Sequence, residues 1–563
     1  MTKPITVCCF AAVAFPMLLS AVDPAAWMAK RREAVNRPRT VMYYNGGEEP
    51  LFWPKGTPFS VDAFLAQRIS PHKDSKVDTI LYAPASAFGF LTARIPSADL
   101  ITHQPEGSKW LAGVENVMPE FIKAGTDPLR EVAAWCKANG KEMFAVLCPN
   151  NTHHGTEHDT AKPPPPYTWD SYLYPPFKTK NPEMLLGGKS KSKTAHGESP
   201  PHAVWSGVDY SHDAVRQKFF ENARDICAGY DIDGLCVDFM RDPQLFKSVA
   251  WGGKASGQER KLITDLLRRI RAAAEESGQA RGRPILLAVR VPDSIPYCKD
   301  IGIDLEAWMT EKLVDLVIGG GTFQLNPWSA MTAACKKGGV KFYASLDESG
   351  IWVGNDSGGH VDDERMPRQC PETYRARVLD ARVAGADGVL FANRYDEDWR
   401  RHAIKDYAKW FCGDPAEFRT LSKRYFVTYR PVGHAGRFLK EWAGHASLPE
   451  LSSHRPAQLK SGSAEFPLNV WDNLAELKKD NITPGLLLLT EAVIPTGTDL
   501  EVALNGIKLE LIKKQAGCQK FAVPPTALKH GANKVQLRAK GRNKDGLPVE
   551  VRNLALDVTF DGK

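Results

Sequence analysis

GYDIDGLCVDFMRDP, residues Gly229–Pro243, alternates small and large apolar residues and then stops on an acid, an aromatic and an arginine. Side chains on an extended strand point alternately to its two sides. Gly234, Cys236 and Asp238 therefore share one face, and Leu235, Val237 and Phe239 share the other. A strand that is small on one side and bulky on the other suits a closed barrel, whose crowded centre takes the small face while surrounding helices take the bulky one. Asp238 then ends the strand pointing inward at the open mouth, where a parallel barrel keeps its chemistry. The competing role for Asp238 is structural, as an acid paired with Arg241 or another strand-end arginine.

Seven further β-rich runs flank this one. Arg39–Asn45, Val77–Pro84 and Glu142–Cys148 precede it, and Ile285–Val291, Val314–Ile318, Val340–Leu346 and Gly388–Ala392 follow. Helical or long connections separate them. One is Asp127–Asn139, with Asp127 as N-cap, Pro128 at the first helical position and Gly140 as the stop. Another is Gln258–Glu276, whose Leu262, Leu266, Ile270 and Ala273 form one apolar stripe. Parallel strands need such crossovers. Eight strands in strict alternation with helices predict an α/β chain with a (β/α)8 TIM barrel. A doubly wound open sheet would carry a Gly-rich phosphate loop after an early strand. Here Gly319–Gly321 follow the sixth strand and read as a tight turn.

Residues Thr152–Asp209 form a long insertion with four prolines, Pro163–Pro166, followed by Tyr167, Trp169, Tyr172 and Tyr174. Its aromatics either stack on sugar rings or tie the loop down. Beyond the barrel, expected over 39–442, a Ser/Pro-rich linker is expected over 443–465. From 466 to 563 strand and turn alternate, with Asn505-Gly506 as a hairpin turn, which predicts a C-terminal all-β sandwich.

Lys3, an apolar run from Ile5 to Ala21 and then Asp23-Pro24 have the layout of a signal peptide spanning 1–21, which implies a secreted or periplasmic protein with no membrane contact after cleavage. An uncleaved anchor is the alternative, although Pro16 interrupts a run already short for a span. The net charge is +7 over 563 residues with acids and bases interspersed. Nucleic acid is thus not an expected partner, and no obligate protein partner is evident. Cys8 and Cys9 fall in the leader, and the nine other cysteines are scattered without a metal-type pair, so most read as small buried apolar residues.

Residues just past barrel strand ends form the site. These are Tyr43, Asn45 and Glu48 after the first strand, and Asn150, Asn151, His153 and His154 after the third. Asp238 and Arg241 follow the fourth, Arg290 and Asp293 the fifth, Asp347 and Glu348 the seventh, and Asn393, Arg394 and Tyr395 the eighth. Glycoside cleavage needs two carboxylates, one to protonate the departing oxygen and one to attack carbon or activate water. With the fourth and seventh strands taken to face each other, Asp238 and the Asp347/Glu348 pair are the catalytic candidates. Tyr343, Ser345 and Asp347 share the inward face, and Glu348 needs a twist to point in. Arg290 on an apolar strand is costly to bury unless paired. It is suited to holding Asp238 or gripping a substrate group. Asn45, Asn150, Asn151 and Asn393 suit sugar hydroxyls, since an amide both donates and accepts. His153, Arg241, Asp293 and Tyr395 complete the candidate substrate-binding set. Zinc held by His153 and His154 with Asp238 or Asp293 is the competing chemistry. Adjacent histidines on an extended chain point apart, so no metal and no cofactor is expected.

The segment DGLCVDFMRDP, Asp233–Pro243, resembles the D-G-[IL]-x-[LFV]-D-[FY]-x-R-x-P signature of a secreted bacterial group of glycosyl-hydrolase-like barrels related to glycoside hydrolase families 10 and 13. ILLAVRVPDS, YASLDESG and ADGVLFANRY look like its later strands, so the resemblance spans roughly 39–412. It implies a barrel glycosidase acting on a poly- or oligosaccharide, with Asp238 at the catalytic mouth. The same strand departs from the chitinase-type D-x-x-D-x-D-x-E motif, since Cys236 and Met240 stand where the second Asp and the Glu would be. It also lacks the Asn-Glu of true family-10 xylanases. A non-catalytic sugar-binding protein on a degenerate barrel is the alternative.

Overall fold

The computed structural model describes residues 23–86, 88, 92–104, 113–152, 175–187, 200–240, 242–346, 370–392, 413–427, 434–449, 451, 456–459, 462–515, 517–541 and 546–560. Eight strands, β1 (Val41–Asn45), β2 (Thr79–Ser86), β3 (Glu142–Cys148), β4 (Gly234–Asp238), β5 (Leu286–Val291), β6 (Leu316–Gly320), β7 (Lys341–Ser345) and β8 (Gly388–Ala392), form a closed barrel. Each pairs in parallel with its predecessor in the chain, and β8 closes on β1. The fold is the expected (β/α)8 barrel.

Strand parity follows the alternation of β4. Cys236 belongs to the barrel interior with Met42, Tyr44, Phe144, Ala288 and Tyr343, whereas Leu235 and Val237 pack in the larger core shared with the helices. Gly234 is small because Phe144, its register partner on β3, fills the space: a Cβ on Gly234 would lie 2.1 Å from that ring. The glycines ending β6 make the expected turn, with Gly320 at φ 97° and Gly321 at φ 60°.

The first of the two helices keeps its expected cap, and the second gains one that was not anticipated. Asp127 Oδ1 accepts the N–H of Arg130 at 3.0 Å at the start of Pro128–Ala138. Ser256 and Glu259 form a reciprocal capping box on Gly257–Ala280. A helix over Pro24–Asn36, unforeseen in the sequence, packs beneath the barrel through Trp27, whose indole donates to Glu275, and Arg31, which reaches Asp315 at 2.8 Å. At the same N-terminal end Arg39 and Glu142 form a buried two-pronged pair at 2.6 and 2.7 Å. Among the described residues no helix is long and apolar enough to cross a membrane. The expected signal peptide over 1–21 lies outside them.

The C-terminal sandwich is present but recruits more chain than expected. One sheet runs Lys423–Phe426, Val549–Thr559, Gly485–Val493, Cys518–Ala522, Glu510–Gln515, with Ala457–Leu459 also on Val549–Thr559. The other runs Ser463–Val470, Gly531–Gly541, Thr498–Leu504, Ile507–Lys508. Asn505 and Gly506 both have positive φ, the hairpin turn anticipated. Two boundaries need correction. Residues 423–426, expected in the barrel domain, pair in the sandwich, and the expected linker over 443–465 contains the strand Ala457–Leu459. Between those strands the chain returns to the barrel. Phe438 O accepts from Gln244, Ala435 O accepts from Tyr297 at 3.0 Å, and Leu325 O accepts the N–H groups of Ser447 and Leu448 at 3.0 and 3.1 Å. Residues 434–448 thus strap the loops that follow β4, β5 and β6. Cys136, Cys227, Cys236, Cys298 and Cys335 are free thiols packed as apolar residues.

Candidate active site

Part of the floor of the mouth is made by the last inward position of five strands, β1, β3, β4, β5 and β7, where parity places Tyr44, Cys148, Asp238, Arg290 and Ser345. Asp238 and Arg290 are register partners on β4 and β5. Arg290 Nη1 donates to Asp238 Oδ2 at 2.9 Å, and Nη2 donates to Ser345 Oγ at 3.3 Å. The guanidinium also lies over the Tyr44 ring, 5.1 Å from its centroid. The second oxygen of Asp238 accepts the N–H of Met240 at 2.8 Å, the first turn of chain beyond the strand. Tyr44 Oη and Cys148 Sγ are 4.0 Å apart. Asp238 is 1% and Arg290 4% exposed, so the pair is buried and must be matched in charge to be tolerated. Below it, burial drives the Cys236 thiol well above its usual range, and the nearby Asp238 carboxylate adds to the shift.

The structural pairing foreseen for Asp238 is therefore real, with Arg290 as the strand-end arginine. Both carboxylate oxygens accept from fixed donors, so neither is placed to present a proton. The arrangement fixes the acid's position and direction. It suits a nucleophile, a base or an electrostatic anchor more than a general acid.

Several sequence candidates serve the loops that frame this floor. Asn150 Nδ2 donates to Gln244 O at 2.6 Å and Val208 O at 3.2 Å, while its Oδ1 accepts Val208 N–H at 2.8 Å. Its amide thus clamps the loops after β3 and β4. The carbonyl of Asn151 accepts from Lys178 Nζ at 2.8 Å. Lys178 is wholly buried, and that burial lowers its pKa well below the usual lysine value. Asp242 accepts from Thr152 N and Oγ1 at 3.1 and 2.8 Å, a second tie between the same loops. Asp293 accepts the N–H groups of Leu325 and Asn326 at 2.8 and 3.2 Å, which holds the loop after β6. Asn45 donates to Glu49 Oε1 at 2.8 Å and accepts Gly47 N–H at 2.8 Å within its own loop. Tyr43 points away from the mouth and packs against His72, the two rings tilted at 45° with centroids 4.2 Å apart.

The remaining candidates, Asp347, Glu348, His153, His154, Arg241, Asn393, Arg394 and Tyr395, lie outside the described residues. One geometric expectation is corrected. In the ring order β8 is diametrically opposite β4, and β7 sits three strands round. What joins β4 to β7 is Arg290, which touches an acid on one and Ser345 on the other. The candidate list missed Tyr44 and Cys148 at the floor, although the alternation Met42–Tyr44 and Val146–Cys148 carried the signal. Lys178 had no such signal, because it sits inside the insertion. Among the described residues no three His, Cys, Asp or Glu side chains gather as a metal site would need.

No family model matches this chain, and no curated protein does. Solved structures similar to it include the glycoside hydrolase domain of PgaB (BpsB) from Bordetella bronchiseptica, with 14% identity, 66% of this chain and 97% of that chain covered, and a TM-score of 0.37. An alpha-L-fucosidase, isoenzyme 2 from Paenibacillus thiaminolyticus, shares 10% identity over 68% of this chain and 49% of its own, with a TM-score of 0.41. Chitinase ChiA74 from Bacillus thuringiensis shares 10% identity over 92% of this chain and all of its own (100%), with a TM-score of 0.34. These likenesses are too distant to add to what the barrel's own topology and side chains say.

Proposed function

We propose that this chain is an exported glycoside hydrolase cleaving glycosidic bonds in a poly- or oligosaccharide at the C-terminal mouth of its barrel. The observation that carries the reading is the Asp238–Arg290–Ser345 chain. It sets one rigid carboxylate at the floor and links it to the strand that runs directly into Asp347 and Glu348. Asp238 acts as nucleophile or base, and the proton for the departing oxygen comes from Asp347 or Glu348. The two carboxyl groups then work at a separation of roughly 5–9.5 Å. Asn151, His153, Arg241, Asn393 and Tyr395 are the groups proposed to meet sugar hydroxyls. The apolar leader over 5–21 supports export.

The test must separate chemistry from stability, because removing one partner of a buried pair strands the other. Asp238→Asn alone does the first and risks the second. The doubly neutral Asp238→Asn/Arg290→Gln variant keeps hydrogen-bonding groups of similar shape and strands no charge. It is expected to fold and to release no reducing ends from a polysaccharide panel that the wild type cleaves. Wild-type turnover in the folded double variant rejects Asp238 as a catalytic residue. A second reading, a non-catalytic sugar-binding barrel, is favoured by the fact that both Asp238 oxygens are already engaged. Glycan binding by the wild type without any new reducing ends decides for it.

A further inference from the structure

Trp251 lies on the mouth side of the barrel, in the loop from β4 to the helix Gly257–Ala280. Its indole N–H donates to Leu186 O at 3.0 Å, across to the insertion that follows β3. Its own N–H donates to Lys247 O at 3.1 Å, and the preceding carbonyl, Ala250 O, accepts from His202 N at 3.1 Å. Gly252 follows at φ 96°, a turn that an L side chain rarely allows. The ring is thus held by two loops, yet 38% of the residue is exposed. Among the described residues with large exposed apolar side chains, Trp251 is the one aromatic. Met28 and Val383 lie at the barrel's underside and the rest on the sandwich, so Trp251 is also the one on the mouth side.

With its donor spent on a backbone carbonyl, the indole has only carbon surface, ring edge and π face, to offer solvent. That electron-rich face suits a partner with a flat array of polarised C–H bonds, which a pyranose ring presents on one side. We propose that Trp251 is a stacking platform for one pyranose ring of a bound glycan, an outlying subsite on the rim of the mouth. This rests on the sugar-directed reading of the floor and narrows it: the substrate is a chain long enough to run from Asp238 to the rim, not a single glycoside.

The experiment compares hexaoses with the matching dioses of β-1,4-linked glucose, xylose and N-acetylglucosamine, by hydrolysis and by calorimetric binding. Trp251→Ala is expected to lower kcat/KM or affinity for the hexaose roughly tenfold more than for the diose, the loss of about one good ring contact. Trp251→Phe is expected to keep most of the hexaose preference. Met28→Ala, exposed on the opposite face, changes neither length. An equal effect of Trp251→Ala on both lengths, or none, overturns the platform while leaving the hydrolase reading in place. A wild type that neither cleaves nor binds any of these probes overturns the platform, and the hydrolase reading falls with it only if the polysaccharide panel also yields no reducing ends.

Discussion

Asp238 and Arg290 occupy the same level on neighbouring strands and meet at 2.9 Å, at the last inward position before the barrel opens. The arginine completes a line from that acid to Ser345 on β7. Arg290→Met leaves a buried carboxylate without its cation and is expected to cost about 3–5 kcal/mol. Arg290→Lys keeps the charge but loses the fork that reaches both partners, so it recovers part of that loss only. Urea unfolding midpoints of the two variants check the order. A methionine variant as stable as the wild type would show that the pair is not held as described.

Lower in the barrel, Gly234 and Phe144 divide one space between them. Gly234→Ala pushes a methyl into the ring and is expected to destabilise by about 1–3 kcal/mol. Phe144→Leu removes bulk at the same point. The double variant should therefore be more stable than the sum of the two single losses implies, because each relieves the fault of the other. A double-mutant cycle with no coupling contradicts this packing.

The alternation of residues 234–239 made the inward face of β4 legible, because a barrel interior tolerates little volume and the sequence supplies Gly, Cys and Asp there. Arg290 was legible for the same reason, since a cation on an apolar strand needs a partner. Asn45, Asn150 and Asp293 were readable only as polar groups near the mouth. Sequence cannot show that their hydrogen-bonding capacity goes to Gly47, Val208, Gln244, Leu325 and Asn326, because those partners come together only in the folded loops. The domain boundary failed for a related reason. Lys423–Phe426 is short, and its partner Val549–Thr559 lies at the far end of the chain.

His72 gives the molecule an acid-sensitive point away from the mouth. Burial is the main cause that lowers its pKa from 6.5 to about 3, and Lys141 adds to the shift. The unfolded chain takes up this proton readily and the folded one resists it. The neutral ring's contribution is therefore full above about pH 6.5 and declines as the pH falls from there toward 3. At pH 5 the loss is about 2 kcal/mol. His72→Phe keeps a ring against Tyr43 and cannot protonate. Its stability relative to the wild type should therefore improve between pH 7 and pH 5. Parallel pH curves for the two proteins would exclude His72 as the source.

Asn150 separates a framing role from a sugar-binding one. Its amide makes three hydrogen bonds: those to Val208 N and Val208 O tie the long loop after β3 to itself, and the one to Gln244 O joins it to the loop after β4. Asn150→Ala leaves one backbone donor and two backbone acceptors buried without that partner, an expected cost of about 2–3 kcal/mol. Because Gln244 lies just beyond the fourth-strand turn that also holds Asp238, the same change shifts the acid's setting and lowers kcat more than it raises KM. Direct contact with sugar predicts the reverse, a raised KM with little change in the unfolding midpoint. Measuring both on one preparation decides between them, and a stable variant with altered KM alone would return Asn150 to the substrate.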